Sequence, residues 1–287
     1  MKKKIDRLEI NKAINMNYLK KISLKRKKIF IVGGLGLIGE ETSKALHQLG
    51  GNIYVLDNNF QKKYKNKEYF KKNGINFINF DCSDLSFLEK NFKTIIAQYG
   101  CPDIFINCSY PRSNDWPQNS FTEIKLKSLR KNIESNLISQ SWLAKIAAEK
   151  MAKLKSKNSD KSIIFIGSIY GLLGQDLSLY KNTKMRENMT YSIIKGGITN
   201  LTRQMASYYG KYNIRVNTLA PGAINGPVAG LAANQSKIFI NNFLKKNPIK
   251  KLGKPSDVAG AAIFLSSEIS TYITGSTIVI DGGWTII

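Results

Sequence analysis

Two Tyr-x-x-x-Lys pairs lie close together in the stretch LYKNTKMRENMTYSIIK: Tyr180 with Lys184, and Tyr191 with Lys195. Residues four apart share one face of a helix, so either lysine can set its charge beside its phenol. A phenol ionises near pH 10 in water, too high for ready proton exchange at neutral pH, and a nearby cation brings that value down. Such a pair suits proton exchange with an alcohol or carbonyl oxygen. Spacing alone leaves both pairs open.

The elements that must position these residues alternate along the chain. Short runs rich in Ile, Val and Phe read as strands at 28–33, 52–57, 75–81, 103–108, 162–168, 214–221 and 276–282. Longer amphipathic stretches at 38–49, 86–99, 122–153, 190–209 and 256–267 read as helices. Buried strands separated by helices form βαβ units, so the expected fold is α/β, a Rossmann-type doubly wound parallel sheet with helices on both faces. No repeat or change of composition divides it. The expectation is a single domain over 28–287 behind a basic N-terminal arm, 1–27; the first 28 residues hold eleven Lys or Arg against Asp6 and Glu9.

The first expected strand runs into Gly34-Leu35-Gly36-Leu37-Ile38-Gly39, a G-x-G-x-x-G turn that opens a helix. Glycines there permit a tight turn and let the backbone approach a pyrophosphate, which rests on the positive helix N-terminus. Glu40 stands where a phosphate-cradling P-loop needs Lys, which excludes that alternative. Asp57 ends the next strand, 18 positions after Gly39. A carboxylate there can accept hydrogen bonds from an adenosine ribose and would repel a 2′-phosphate. Asn58 and Asn59 follow, and Lys62 is the nearest basic residue downstream, so NAD(H) is favoured over NADP(H).

Taken together, GGLGLIG, FDCSD, NCSY, GSIYG, YSIIK, LAPGAI and YITGSTIVIDGGW resemble the short-chain dehydrogenase/reductase family from Lys28 to the C-terminus. The resemblance decides between the two pairs. In the family the Tyr-x-x-x-Lys helix runs into a strand carrying Arg-Val-Asn, and the chain does this without a gap from Tyr191. Tyr180, 12 residues after Ser168, has the commoner spacing but would need an insertion inside the long helix; Tyr191 lies 23 after and needs only a longer loop.

The resemblance implies Tyr191 as acid/base, Lys195 as its tuning cation and ribose ligand, and Ser168 as donor to the substrate oxygen. It implies Asn136 on the preceding long helix as support for the proton relay, with Asn132 as a rival. Beyond Tyr191 and Lys195, the cofactor-binding positions it implies are Gly33, Gly34, Gly36, Ile38, Gly39, Asp57, Asp81, Cys82, Asn107, Ser109, Pro221, Gly222 and Ile224. Two departures stand out: Tyr110-Pro111-Arg112 replaces a usual small residue and loop, and an insert at 174–190 adds Lys181, Lys184 and Arg186. Both resemble a subgroup linked to flagellin modification and nonulosonic-acid pathways, which implies a sugar or activated-sugar substrate carrying phosphate or carboxylate. Homodimers or homotetramers are implied as well.

Composition narrows the alternatives. With one histidine, His47, and three cysteines at no ligand spacing, no metal centre is expected, and a reducing cytoplasm fits best. His47 reads as a solvated helix-end residue. No apolar run is long enough to span a bilayer. The net charge of +24 is spread along the chain with no groove-reading helix or interleaved aromatic platform, so nucleic-acid binding is not expected. A 3-oxoacyl-carrier-protein reductase is the competing enzyme, and its acidic carrier would suit a basic surface. From another class, a catalytically silent scaffold on this fold is disfavoured by the intact Ser-Tyr-Lys set.

Overall fold

Strand residues that are apolar at odd and even positions alike must be covered on both faces. In β1 (Lys28–Val32), Phe30 and Val32 enter one core while Ile29 and Ile31 enter the other. The computed structural model describes residues 17–58, 67–154, 160–227 and 235–287. Its remaining strands are β2 (Asn52–Asp57), β3 (Asn76–Asn79), β4 (Ile104–Asn107), β5 (Lys161–Ile166), β6 (Ile214–Pro221) and β7 (Thr277–Ile280). All pair in parallel, in the order β3-β2-β1-β4-β5-β6-β7. The order reverses between β1 and β4, and a crevice opens at such a point beyond the strands' carboxyl ends.

The helices that follow are α1 (Tyr18–Ile22), α2 (Leu37–Gln48), α3 (Lys67–Lys72), α4 (Leu88–Tyr99), α5 (Leu126–Asn132), α6 (Ser139–Lys153), α7 (Met189–Tyr209), α8 (Lys237–Lys246) and α9 (Pro255–Ser266). Helices α4, α6 and α7 cover one face through Phe92, Leu143 and Ile198; α2 and α9 cover the other through Leu46, Val258 and Leu265. A third, smaller core joins Ile169, Leu179, Phe243 and Trp284 and fastens the 174–190 insert and α8 to the body.

Three features differ from expectation. The single helix expected over 122–153 is two helices joined by a π-helical stretch, Ile133–Ile138. The short helices α3 and α8 were not legible, because lysines and asparagines blur their apolar faces, whereas α1 falls in the arm, which reads as partly helical. The described half of the expected arm is not all free: Leu24 is fully buried in the α2–α9 core, and its N–H donates to the Leu49 carbonyl at 2.9 Å. Residues 1–16 of that arm lie outside the described residues. His47 sits one residue from the end of α2, half-buried. Among the described residues, no helix is long and apolar enough to cross a membrane, and no three His, Cys, Asp or Glu side chains gather to hold a metal.

Candidate active site

Tyr191 enters the crevice from the first turn of α7, and Asn188 sets that turn. Its Oδ1 accepts from the Tyr191 N–H at 2.9 Å and the Thr190 hydroxyl at 2.7 Å, while its Nδ2 donates to the Trp116 carbonyl at 3.1 Å. Asn188 was not a sequence candidate, although Asn before an apolar-periodic run is a helix N-cap signal. Asn188→Ala is expected to lower stability by about 1–2 kcal/mol, measurable by urea unfolding, since it removes the cap and the bond to Trp116.

The phenol is enclosed by aromatic rings. Tyr110 meets it edge-on with centroids 5.2 Å apart, and Tyr170 does so at 6.3 Å. Burial pushes the Tyr191 pKa up, while hydrogen bonding from Ser168 and the Arg112 charge pull it down. Ser168 follows β5, is 5 % exposed, and accepts at Oγ from the Tyr170 N–H at 3.2 Å. Lys195, one turn beyond Tyr191, is buried; its Nζ donates to the Ile166 carbonyl at 2.7 Å and stands 5.6 Å from the Tyr191 ring centre. Burial draws its pKa down to about 8. The turn carrying Ser168 lies directly on α7, because Gly171 touches it with no side chain: a Cβ there would stand 2.6 Å from the Lys195 carbonyl oxygen. Ser168, Tyr191 and Lys195 therefore converge, and such a set can donate a hydrogen bond and a proton to one oxygen.

The competing pair does not bring a cation to its phenol: Lys184 is exposed, and Tyr180 adjoins the site behind Tyr170. Tyr180 lies in a short 3₁₀ turn, Leu177–Tyr180, and its hydroxyl donates to Gln175 Oε1 at 2.8 Å. Lys181, Lys184 and Arg186 are exposed, and Arg186 pairs with Glu123 at 3.0 Å. Besides Lys195, whose Nζ faces the ring, the cation whose charge lowers the Tyr191 pKa is Arg112.

Asn132 and Asn136 both hold the segment that departs from the family pattern. Asn136 Nδ2 donates to the Pro111 carbonyl at 2.9 Å, and Asn132 Nδ2 donates to Ser113 Oγ at 2.8 Å. Asn136 lies within the π-helical stretch, a feature often found at functional sites. One turn on, Ser139 Oγ donates to the Cys82 carbonyl at 2.5 Å and Gln140 Nε2 to the Ser109 carbonyl at 3.0 Å. All four are fully buried. Ser139 and Gln140 were missed; the signal was a polar stripe at 132, 136, 139 and 140, which is helical spacing.

On the other side of the crevice, Gly33 and Gly34 form the turn after β1, Gly36 begins α2 with no side-chain cap bond, and Ile38 packs into the α2–α9 core. Gly39 allows the close turn: a Cβ there would stand 2.1 Å from the Gly33 carbonyl oxygen. Asp57 Oδ2 accepts from the Leu35 N–H and Oδ1 from the Asn58 N–H, both at 2.9 Å, so this carboxylate also braces the glycine turn. Burial nonetheless raises its pKa. Asn59 and Lys62, which entered the choice between cofactors, lie outside the described residues. Asp81 is exposed and accepts from the Ser83 N–H at 2.8 Å. Cys82 is half-buried, and its thiol is pushed up to about 11 by burial. Asn107 Oδ1 accepts from the Ser109 hydroxyl at 2.6 Å, while its buried Nδ2 has no partner. Pro221 ends β6, Gly222 packs against Asp281, and Ile224 bridges to Gly253.

An uncapped helix start, a turn that excludes a Cβ and an unpartnered amide donor at the sheet's reversal fit a dinucleotide with its pyrophosphate on α2. The three-residue convergence of Ser168, Tyr191 and Lys195 lies at the end of β5, where Lys195 is tied to Ile166.

The comparisons agree with this geometry. A family model described as Enoyl-(Acyl carrier protein) reductase matches residues 36–285. Post-translational flagellin modification protein A of Campylobacter coli is 31% identical over 91% of this chain and 99% of its own. The NADH-dependent L-xylulose reductase of Ambrosiozyma monospora is 26% identical over 89% of this chain and 93% of its own. A short chain dehydrogenase of Leptospira borgpetersenii solved with bound NAD+ superposes with a TM-score of 0.77, at 29% identity, over 94% of this chain and 96% of that one. With a matching family model across most of its length and the sheet order and site that go with it, the chain belongs to the short-chain dehydrogenase/reductase family of oxidoreductases.

Proposed function

We propose that the protein moves hydride between NAD(H) and a secondary alcohol or ketone on a sugar or activated sugar of surface-glycan biosynthesis. The observation that carries this reading is the convergence of Ser168, Tyr191 and Lys195 in one enclosed crevice. The nicotinamide, when bound, supplies or accepts the hydride. Tyr191 gives its proton to the substrate oxygen as a ketone is reduced, and takes it back in the reverse direction. Ser168 donates a hydrogen bond to that oxygen, stabilising the charge that develops there. Lys195, fixed by the Ile166 carbonyl, keeps a positive charge below the phenol and is placed to hold the nicotinamide ribose. Asn136 keeps the substrate-side segment in place through Pro111 and supports the relay from the π-helical stretch. The glycine turn, Ile38, Asp57, Asp81, Cys82, Asn107, Ser109 and the Pro221–Ile224 stretch line the dinucleotide's path.

Sugar chemistry is supported by two relatives, one described as modifying flagellin and one as reducing L-xylulose. NAD(H) is supported by the Asp57 carboxylate at the end of β2, which would repel a 2′-phosphate. A cytoplasmic homodimer or homotetramer is the assembly we propose, to be measured by size-exclusion chromatography with light scattering.

The test is titration with NADH and NADPH, followed by fluorescence, in wild type and Asp57→Ala, then a screen of oxidised sugars and sugar nucleotides. NADH is expected to bind wild type more tightly than NADPH, and Asp57→Ala to cut that preference by about tenfold, the worth of one or two hydrogen bonds to a carboxylate. Wild-type preference for NADPH would overturn the Asp57 argument. It would move forward the second reading, a 3-oxoacyl-carrier-protein reductase, which a relative of that description at 28% identity and the net charge of +24 favour. Binding of neither would leave a silent scaffold.

A further inference from the structure

Arg112 is a charged side chain held beside the reacting phenol with no partner for its charge. Its guanidinium stacks on Trp116, with Cζ 3.9 Å from the ring centroid. Its Nε is buried and makes no hydrogen bond among the described residues, and the side chain as a whole is half-buried. The acidic side chains nearest in sequence are engaged elsewhere: Asp115 accepts from the Ser128 hydroxyl, and Glu123 pairs with Arg186 at 3.0 Å. Tyr110 and Trp116 of the same segment turn their polar atoms toward each other, so the Arg112 Nε is the one left over among these three side chains. Leaving a buried guanidinium nitrogen unused is costly unless a ligand uses the site, because the group forfeits water without replacement.

The segment is also rigidly placed. The Pro111 carbonyl is held by Asn136, Ser113 by Asn132, and the Trp116 carbonyl by Asn188, which caps the helix carrying Tyr191. Arg112 is thus fixed relative to the phenol by side chains on two helices.

We propose that Arg112 is a specificity-determining residue that receives a carboxylate borne by the substrate, a few bonds from the carbon that is oxidised or reduced. The claim rests on the oxidoreductase reading above and adds the class of substrate. A lone guanidinium presents two parallel donors that match a carboxylate. The same fork also fits a phosphate, but one guanidinium balances a carboxylate's single charge and leaves a phosphate dianion half neutralised. Here Lys195 is tied to Ile166, the lysines of the insert are exposed, and the start of α7 is capped by Asn188.

The test uses two ketones that differ in one group: 5-keto-D-gluconate carries a carboxylate where L-sorbose carries a hydroxymethyl. Both are titrated by calorimetry into wild type, Arg112→Gln and Arg112→Lys, with and without saturating NADH. Wild type is expected to bind the acid at least about tenfold more tightly than the neutral ketone, as a charge-assisted pair supplies. Arg112→Gln should bring that ratio close to one, and Arg112→Lys should leave part of it. Melting curves confirm that the variants are folded, and a merely structural role would weaken both ligands alike, leaving the ratio unchanged. An equal response to the two ketones in wild type, whether both bind or neither does, overturns the proposal. A ratio that survives Arg112→Gln overturns it too. Failure of NADH to bind would instead count against the oxidoreductase reading, while the ratio measured without NADH still judges Arg112.

Discussion

Replacing Tyr191 with Phe is expected to lower kcat by about 10²- to 10⁴-fold on whichever ketone the sugar screen identifies, the usual worth of a positioned acid/base. The ring packs edge-on against Tyr110 and Tyr170, and Phe keeps those contacts, so melting temperature should barely move. NADH affinity should fall far less than kcat, because only one hydroxyl is lost. Burial holds the phenol neutral in the free protein, which is the form that can give a proton to a ketone. Single-turnover kinetics at saturating NADH would read the chemical step directly. A variant that keeps more than about a tenth of wild-type turnover would remove Tyr191 from the mechanism.

Lys195→Met is expected to remove activity by about 10²-fold or more, yet to change stability in a way that depends on pH. Burial lowers the Lys195 pKa from 10.5 to about 8, so the folded state pays for its charge below that value. At neutral pH both folded and unfolded chains hold the proton and the full cost is present. Between about pH 8 and 10.5 the unfolded chain keeps the proton that the folded chain has lost. Stability from this group therefore rises with pH across that range, at about 1.4 kcal/mol per pH unit. Met has no such dependence. The stability of wild type relative to Lys195→Met should thus improve by about 1–3 kcal/mol as pH rises from 8 towards 10. Cys82 and Cys101, both pushed up to about 11, weaken wild type and variant equally above pH 9. Cys108 feels the Lys195 charge, so both proteins should carry Cys108→Ala. Denaturant unfolding at several pH values would check this; a gap that stays constant with pH would mean that Lys195 is not titrating in the folded protein.

Most of the architecture could be read before the structure was known. All seven strands fall within a few residues of expectation; in the inner ones burial on both faces leaves an unbroken apolar run, as in KIFIV and KSIIFI, while the edge strands β3 and β7 are more exposed. The glycine turn was legible for a different reason: a residue that cannot be replaced without collision, such as Gly39 against the Gly33 carbonyl, leaves its mark as a fixed letter at a fixed spacing. That Tyr191, and not Tyr180, belongs to the long helix was also legible, since only Tyr191 runs without a gap into the helix and strand that follow. Tyr180 instead spends its hydroxyl on Gln175.

What stayed hidden depends on partners distant in the chain. The π-helical widening at Ile133–Ile138 follows no letter in its own sequence, and it sits where Asn136 reaches Pro111, 25 positions away. Asn188 looks like any helix cap until its amide is seen on Trp116, 72 positions earlier. The basic insert drew attention by charge, but exposure and Glu123 disperse that charge, whereas the single Arg112, stacked on Trp116, keeps its own. By itself the sequence determined the sheet and the turn that opens α2, because periodicity and spacing act over one element or the next. Only the tertiary structure decided which cation faces the phenol and which side chains hold it there, because electrostatics and buried hydrogen bonds are set by distance in space.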